Sequence, residues 1–173
     1  MIAPNAQERL TQIVEPLLFW YQKNKRSLPW RDQPTPYRVW VSEIMLQQTR
    51  VEAVKPYFER FLSQLPSIEA LASCPEDRLL KLWEGLGYYS RARNLQKAAR
   101  LLVEQYGGQL PADYRQLTAL PGIGDYTAGA IASIAFGIAV PAVDGNVLRV
   151  ISRILCCGDD IGLPQTKQSF RQL

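Results

Sequence analysis

The chain has 173 residues, 47% hydrophobic and 21% charged, with a net charge of +4. That length allows one domain, or one and a fraction, with a buried core, and no apolar run approaches the roughly 18 residues of a membrane span. There is no histidine, which excludes Ser-His triads and histidine metal sites and moves any acid–base work onto carboxylates, tyrosine or lysine.

Residues 7–22 place Leu10, Ile13, Val14, Leu17, Leu18 and Trp20 in an amphipathic helical pattern, with Pro16 inside it as a kink or break. Leu28-Pro29-Trp30-Arg31 reads as a loop. Its tryptophan is either a core plug or a flat wall of a base pocket. Thr35 as N-cap and Pro36 at the first helical position open the next helix. There Tyr37, Trp40, Val41, Ile44 and Met45 form one apolar stripe, while Val39 and Leu46 point the other way. This helix is expected to be buried on more than one side. Glu43 falls off both apolar sets. A carboxyl group walled by apolar atoms has a raised pKa and can stay protonated near neutral pH, as a general acid must.

Gln47-Gln48-Thr49 ends that helix with hydrogen-bonding side chains, either simply solvated or able to enter a base stack. A helix over 51–65 follows, and Ser67 and Pro75 open two short ones, the second ending at Trp83. The segment Glu84-Gly85-Leu86-Gly87-Tyr88-Tyr89-Ser90 is a loop with two readings. It is a tight turn with aromatic packing, or an aromatic wedge for a base step with Arg91, Arg93 and Lys97 near phosphates. The helix after it runs to about Tyr106, where Gly107-Gly108 terminates it.

Residues 113–119 and 125–136 form a helical hairpin around Leu120-Pro121-Gly122-Ile123-Gly124. Pro121 stops the first helix, and the two glycines permit φ > 0 and leave the backbone bare. The second helix opens with free N–H groups and a positive dipole end, which suits a phosphate held without reading sequence. A generic turn is the plainer alternative. The small residues Ala128 to Ser133 permit close helix approach and give this helix a central place. Asp144 precedes a helix reaching Leu155, as a plain N-cap or as a carboxylate for chemistry on the sugar beside the gripped phosphate. Pro164 opens a last helix. No segment of useful length has strand periodicity, so the fold is expected to be all-α.

Two further features set boundaries. Cys74, Cys156 and Cys157 show no C-x-x-C spacing and form neither a disulfide framework nor a metal site. The N-terminus lacks a basic-then-apolar signal pattern, so the chain reads as cytoplasmic.

Several stretches stand in order: Leu28-Pro29-Trp30-Arg31, Thr35-Pro36-Tyr37, Val41-Ser42-Glu43-Ile44-Met45-Leu46-Gln47-Gln48-Thr49, Glu84-Gly85-Leu86-Gly87-Tyr88-Tyr89, the hairpin, and Val143-Asp144-Gly145-Asn146-Val147. Through them the chain, from Leu28 onward, resembles the helix-hairpin-helix DNA glycosylases of the endonuclease III-like superfamily, and within them the adenine-removing branch. The resemblance implies base-excision DNA repair by a monofunctional glycosylase. Its substrate would be adenine mispaired with 8-oxoguanine or guanine in double-stranded DNA, and the protein would be a monomer. It also implies a six-helix barrel domain over 29–140, with the helix-hairpin-helix at about 113–136. A second helical domain would come from both chain ends, 1–28 and 141–173, with DNA bound in the cleft between.

Carried over residue by residue, Glu43 looks like the general acid that protonates adenine N7, and Asp144 like the carboxylate that stabilises the sugar cation. Tyr126 stands where the related bifunctional lyases have a catalytic lysine. Gln48 and Tyr88 resemble the residues that enter the stack around 8-oxoguanine, with Thr49 and Leu86 beside them. Leu28, Trp30, Arg31 and Val51 resemble the adenine pocket. Gly122 and Gly124 match the phosphate-gripping turn, and the carbonyls of Thr118, Leu120 and Ile123 match a monovalent cation site. One protonated and one ionised carboxyl group share the labour as in glycoside hydrolysis. The adenine must first leave the stack, which is cheapest at a mispair.

The resemblance further implies a four-cysteine [4Fe-4S] cluster and a domain that recognises 8-oxoguanine, both lying past residue 173. Cys156 and Cys157 lack the ligand spacing, so the chain reads as a truncated protein. A strand-cutting, endonuclease III-like lyase is the rival of the same fold, and Tyr126 argues against it because a Schiff base needs an amine. A non-catalytic DNA-binding module is the rival of another class. Glu43 and Asp144, both standing in their motifs, argue against that.

Overall fold

The computed structural model describes residues 5–173. The described residues form helices and no strand: α1 (Ala6–Asn24), α2 (Pro29–Asp32), α3 (Pro36–Leu46), α4 (Val51–Gln64), α5 (Ile68–Ser73), α6 (Glu76–Trp83), α7 (Ser90–Tyr106), α8 (Tyr114–Thr118), α9 (Asp125–Phe136), α10 (Gly145–Ile154) and α11 (Pro164–Arg171). They divide into two compact units. One is Ser27–Ala142; the other joins the residues up to Arg26 with Val143–Leu173.

In the larger unit α3 is the hub, packed by α2, α4, α7 and α9. Trp40, Val41 and Met45 are wholly inaccessible, and Val39 on the opposite side is buried too, so the two apolar sets of this helix are both used. Thr35 caps it, its hydroxyl accepting the Arg38 N–H at 3.4 Å. Around α3 the rings pack edge to face, Trp30 on Phe58 at 5.4 Å and Phe61 on Trp83 at 6.0 Å. Each fully buried large side chain of this kind contributes about 1.5–3 kcal/mol. The buried Tyr37 hydroxyl donates to the Leu65 carbonyl at 2.8 Å. Burial above all, with Cys74 and Glu69 nearby, pushes that phenol's pKa up, so it remains a donor.

Small side chains let α9 approach closely, as their pattern led us to expect. A Cβ on Gly129 would lie 2.3 Å from the Pro141 carbonyl oxygen, so the chain leaving α9 folds back directly onto it. The end of α7 follows from glycine as well. Gly107 sits at φ +60°, and the Gly108 N–H reaches back to the Leu102 carbonyl at 2.9 Å, the Schellman pattern that satisfies a helix end.

One expectation is corrected here. Pro29–Asp32 is a short helix, not a loop: Leu28 is extended at φ −139°, ψ 138°, and Pro29 occupies the first helical position, where a missing N–H costs nothing. Of the two readings of Pro16, a kink or a break, the break does not occur: α1 runs through it, since proline's fixed φ is itself helical.

In the smaller unit Ala6, Leu148, Leu155 and Phe170 form the core, with Leu10 and Ile151 against it. The Arg9 guanidinium donates to the Ile154 carbonyl at 3.3 Å. The apolar stripe of α1 is covered only near its start, since Leu17, Leu18, Phe19 and Trp20 are all more than half exposed. No helix among the described residues is long and apolar enough to cross a membrane.

Candidate functional site

The hairpin turn is built on Pro121 and Gly122. The Ile123 N–H donates to the Leu120 carbonyl at 3.1 Å, with Gly122 at φ +78°. That is a type II turn, with proline and glycine in their preferred positions. A Cβ on Gly122 would also meet Asn94 Cβ at 2.9 Å, so glycine is required there for two reasons. The buried side chains of Leu120 and Ile123 anchor the turn in the core. Gly124 differs from expectation. It is extended at φ −90°, ψ 179° and does not use a left-handed conformation. Its usefulness is openness: nothing lies where a Cβ would go, and as the N-cap residue of α9 it brings no side chain of its own to the helix start. The positive end of the helix dipole there favours an anion. Tyr126, in the first turn of α9, is 38% exposed.

The end of α3 makes a second type II turn. The Thr49 N–H donates to the Leu46 carbonyl at 3.3 Å, and the third residue, Gln48, is exposed at φ +57°. A residue with a side chain pays roughly 1–2 kcal/mol to sit there. The chain after α6 repeats the shape, with the Leu86 N–H on the Trp83 carbonyl at 3.1 Å and Gly85 at φ +102°. Two residues later Tyr88 is left-handed at φ +47° and 63% exposed.

Glu43 is half-buried on α3 between Ser42 and Ile44, which are both buried. Leu28 and Trp30 belong to the core of the larger unit, Trp30 edge-on to Phe58. Arg31 is exposed, and Val51 is half-buried at the start of α4. Leu86 is also a core residue. Asp144, in the smaller unit, caps α10. One carboxylate oxygen accepts the Val147 N–H at 2.8 Å and the other the Asn146 side-chain amide at 3.0 Å.

The basic residues of α7 behave differently from one another. Arg91, expected near phosphate, is buried, and its guanidinium donates to backbone carbonyls on two sides. Arg93 pairs with Glu76 at 2.7 Å, and Lys97 is exposed. One signal for Arg91 lay in the sequence: with Leu95, Ala98 and Leu102 it shares the buried stripe of the helix.

Among the described residues no group of three histidine, cysteine or acidic side chains could hold a metal ion. Cys74 is buried and stands apart from Cys156 and Cys157 in the sequence. The residues present therefore do not fit a four-cysteine cluster. Of the three carbonyls matched to a cation site, that of Leu120 accepts the turn's own hydrogen bond.

The hairpin helix α9 packs against α3, which carries the half-buried Glu43. The chain belongs to the HhH-GPD superfamily of base excision DNA repair proteins, whose family model matches residues 41–173. It is 49% identical over 153 residues to the adenine DNA glycosylase of Mus musculus, covering 83% of this chain and 30% of that protein. In structure it is similar to a thermostable thymine-DNA glycosylase, with a TM-score of 0.80 and 30% identity, covering 86% of this chain and 69% of that one. It is also similar to an endonuclease III in a non-covalent complex with DNA, with a TM-score of 0.73 and 26% identity, covering 92% and 76%. The chain spans about a third of the length of the curated relatives it matches.

Proposed function

We propose that this chain carries the catalytic residues of an adenine-specific DNA glycosylase, one that hydrolyses the N-glycosidic bond of adenine opposite 8-oxoguanine or guanine in duplex DNA. The 49% identity to an adenine DNA glycosylase over 153 residues carries the reading. In it, Glu43 gives a proton to adenine N7 and the base departs with the electron pair of the glycosidic bond. The Asp144 carboxylate stabilises the positive charge left on the sugar, and water adds at C1′, giving its proton to the Glu43 carboxylate, to leave an abasic site, the division of labour of glycoside hydrolysis.

Around that chemistry, Leu28, Trp30, Arg31 and Val51 receive the extruded adenine, and Gln48 and Tyr88 enter the stack at 8-oxoguanine. The open backbone at Gly122 and Gly124 approaches a phosphate, the Ile123 N–H being kept by the turn itself, and a monovalent cation on the carbonyls of Thr118, Leu120 and Ile123 would steady that turn. No step runs through an iron–sulfur cluster. The test is to incubate the protein with a duplex containing adenine opposite 8-oxoguanine and then treat with alkali. Breakage at the adenine is expected, with none in the matched A:T duplex. An A:8-oxoguanine strand that stays intact after alkali contradicts the reading.

A further inference from the structure

Arg91 is a buried cation with no carboxylate beside it. Every acceptor it meets is a neutral backbone carbonyl or the Thr49 hydroxyl. Its two terminal nitrogens point to different places. Nη1 donates to the carbonyls of Ile44 and Met45, each at 3.1 Å, and to that of Gln47, all at the end of α3. Nη2 donates to the carbonyls of Leu86 at 2.8 Å and Gly87 at 3.2 Å, in the turn after α6. The Thr49 hydroxyl lies 3.4 Å from both nitrogens. The guanidinium carbon lies over two rings, 5.6 Å from the centre of Trp83 and 5.4 Å from that of Tyr88.

These two turns carry Gln48 and Tyr88, each exposed and each held at positive φ. The unpaired carbonyls at the end of α3 form the negative end of that helix, which a positive donor group satisfies. We propose that Arg91 is a positioning residue for mispair recognition: it bolts the turn at 46–49 to the turn at 83–88 and so sets the spacing between Gln48 and Tyr88. The proposal rests on the reading that those two side chains enter the stack around 8-oxoguanine. Arginine is needed because a fork of donors can serve two turns at once while its charge lies over aromatic rings. A lysine ammonium is a point charge that serves one turn and stacks poorly.

The test measures equilibrium binding of the whole chain to duplexes with adenine opposite 8-oxoguanine and opposite thymine. The proteins are the unmodified chain, Arg91→Lys, Gln48→Ala, Tyr88→Ala, and Leu102→Ala as a destabilised control on the same helix. Arg91→Lys should lower the ratio of the two affinities on the order of tenfold, the scale of a lost charge-assisted hydrogen bond. Its affinity for the thymine duplex should stay unchanged, and Leu102→Ala should keep the ratio. If Arg91→Lys does not fold, Arg91→Gln, whose amide reaches only one of the two turns, asks the same question, and the ratio should fall there too.

The results separate the two readings. A ratio that falls in Gln48→Ala or Tyr88→Ala but survives Arg91→Lys overturns the proposal and leaves the stack reading standing. A ratio that survives in all three removes the stack reading and this proposal with it. Equal loss in Leu102→Ala, or equal loss on both duplexes, overturns the positioning role.

Discussion

At position 126, just inside the start of α9, the side chain is a phenol, 38% exposed. Strand cutting by β-elimination begins with an unprotonated amine attacking C1′ to form a Schiff base. A phenol cannot do this, and no lysine occurs between Lys97 and Lys167. Base release should therefore leave an abasic but unbroken strand, and borohydride should trap little protein on the DNA. Tyr126→Lys should raise both nicking and trapping on a gel. Nicking by the unmodified chain at the rate of base loss would instead support a lyase. Single residues were unevenly legible. Asp144 could be read as an N-cap because aspartate is a preferred residue just before a helix, and it does cap α10. One of the two readings of its loop put Arg91 near phosphate, because a charge on a helix beside a loop suggests solvent. Three of the carbonyls that receive it, those of Ile44, Met45 and Gln47, belong to residues more than forty positions away, and no local pattern reports those three.

At the scale of elements, caps and breakers were the clearest signals. Thr35 and Ser67 accept the N–H groups of Arg38 and Ala70 as their positions suggested, and Gly107 ends α7. Left-handed residues without glycine were not legible: nothing in Gln48 or Tyr88 announces positive φ, which the surrounding packing imposes. The apolar stripe of α1 was legible as a stripe, but a pattern shows which side is apolar and not what covers it. In the hairpin the two glycines should now separate. Gly122→Val combines positive φ with a contact at Asn94 and should destabilise the fold by about 1–3 kcal/mol. Gly124→Val sits in extended backbone with open space, so thermal unfolding should barely change. Its bulk beside the first N–H groups of α9 should weaken binding to every duplex alike, because a phosphate contact carries no sequence information. Thermal melts and fluorescence anisotropy on matched and mispaired DNA check both. A Gly124→Val protein that binds all duplexes normally, or loses only mispair preference, would show that the turn is not a phosphate grip.

Over the whole molecule, helical periodicity was enough to read an all-α chain, because nearly every helix of the larger unit buries one apolar face and α3 buries two. The division at Arg26 and Ala142 has no such local mark; it reflects which helices share a core, and the two chain ends share theirs. Each unit holds one of the two carboxyl groups in the proposed reaction, Glu43 in one and Asp144 in the other. The central claim is that Glu43 supplies the proton that lets adenine leave. Glu43→Gln keeps the shape and hydrogen-bonding reach of the side chain but cannot deliver that proton. The most direct measurement is the single-turnover rate of adenine release from a duplex with adenine opposite 8-oxoguanine, for the unmodified chain and for Glu43→Gln, with DNA affinity measured in parallel. The rate should fall by at least roughly 10²-fold, the scale of a lost general acid, while affinity stays nearly the same. Adenine released by Glu43→Gln at close to the unmodified rate would contradict the account.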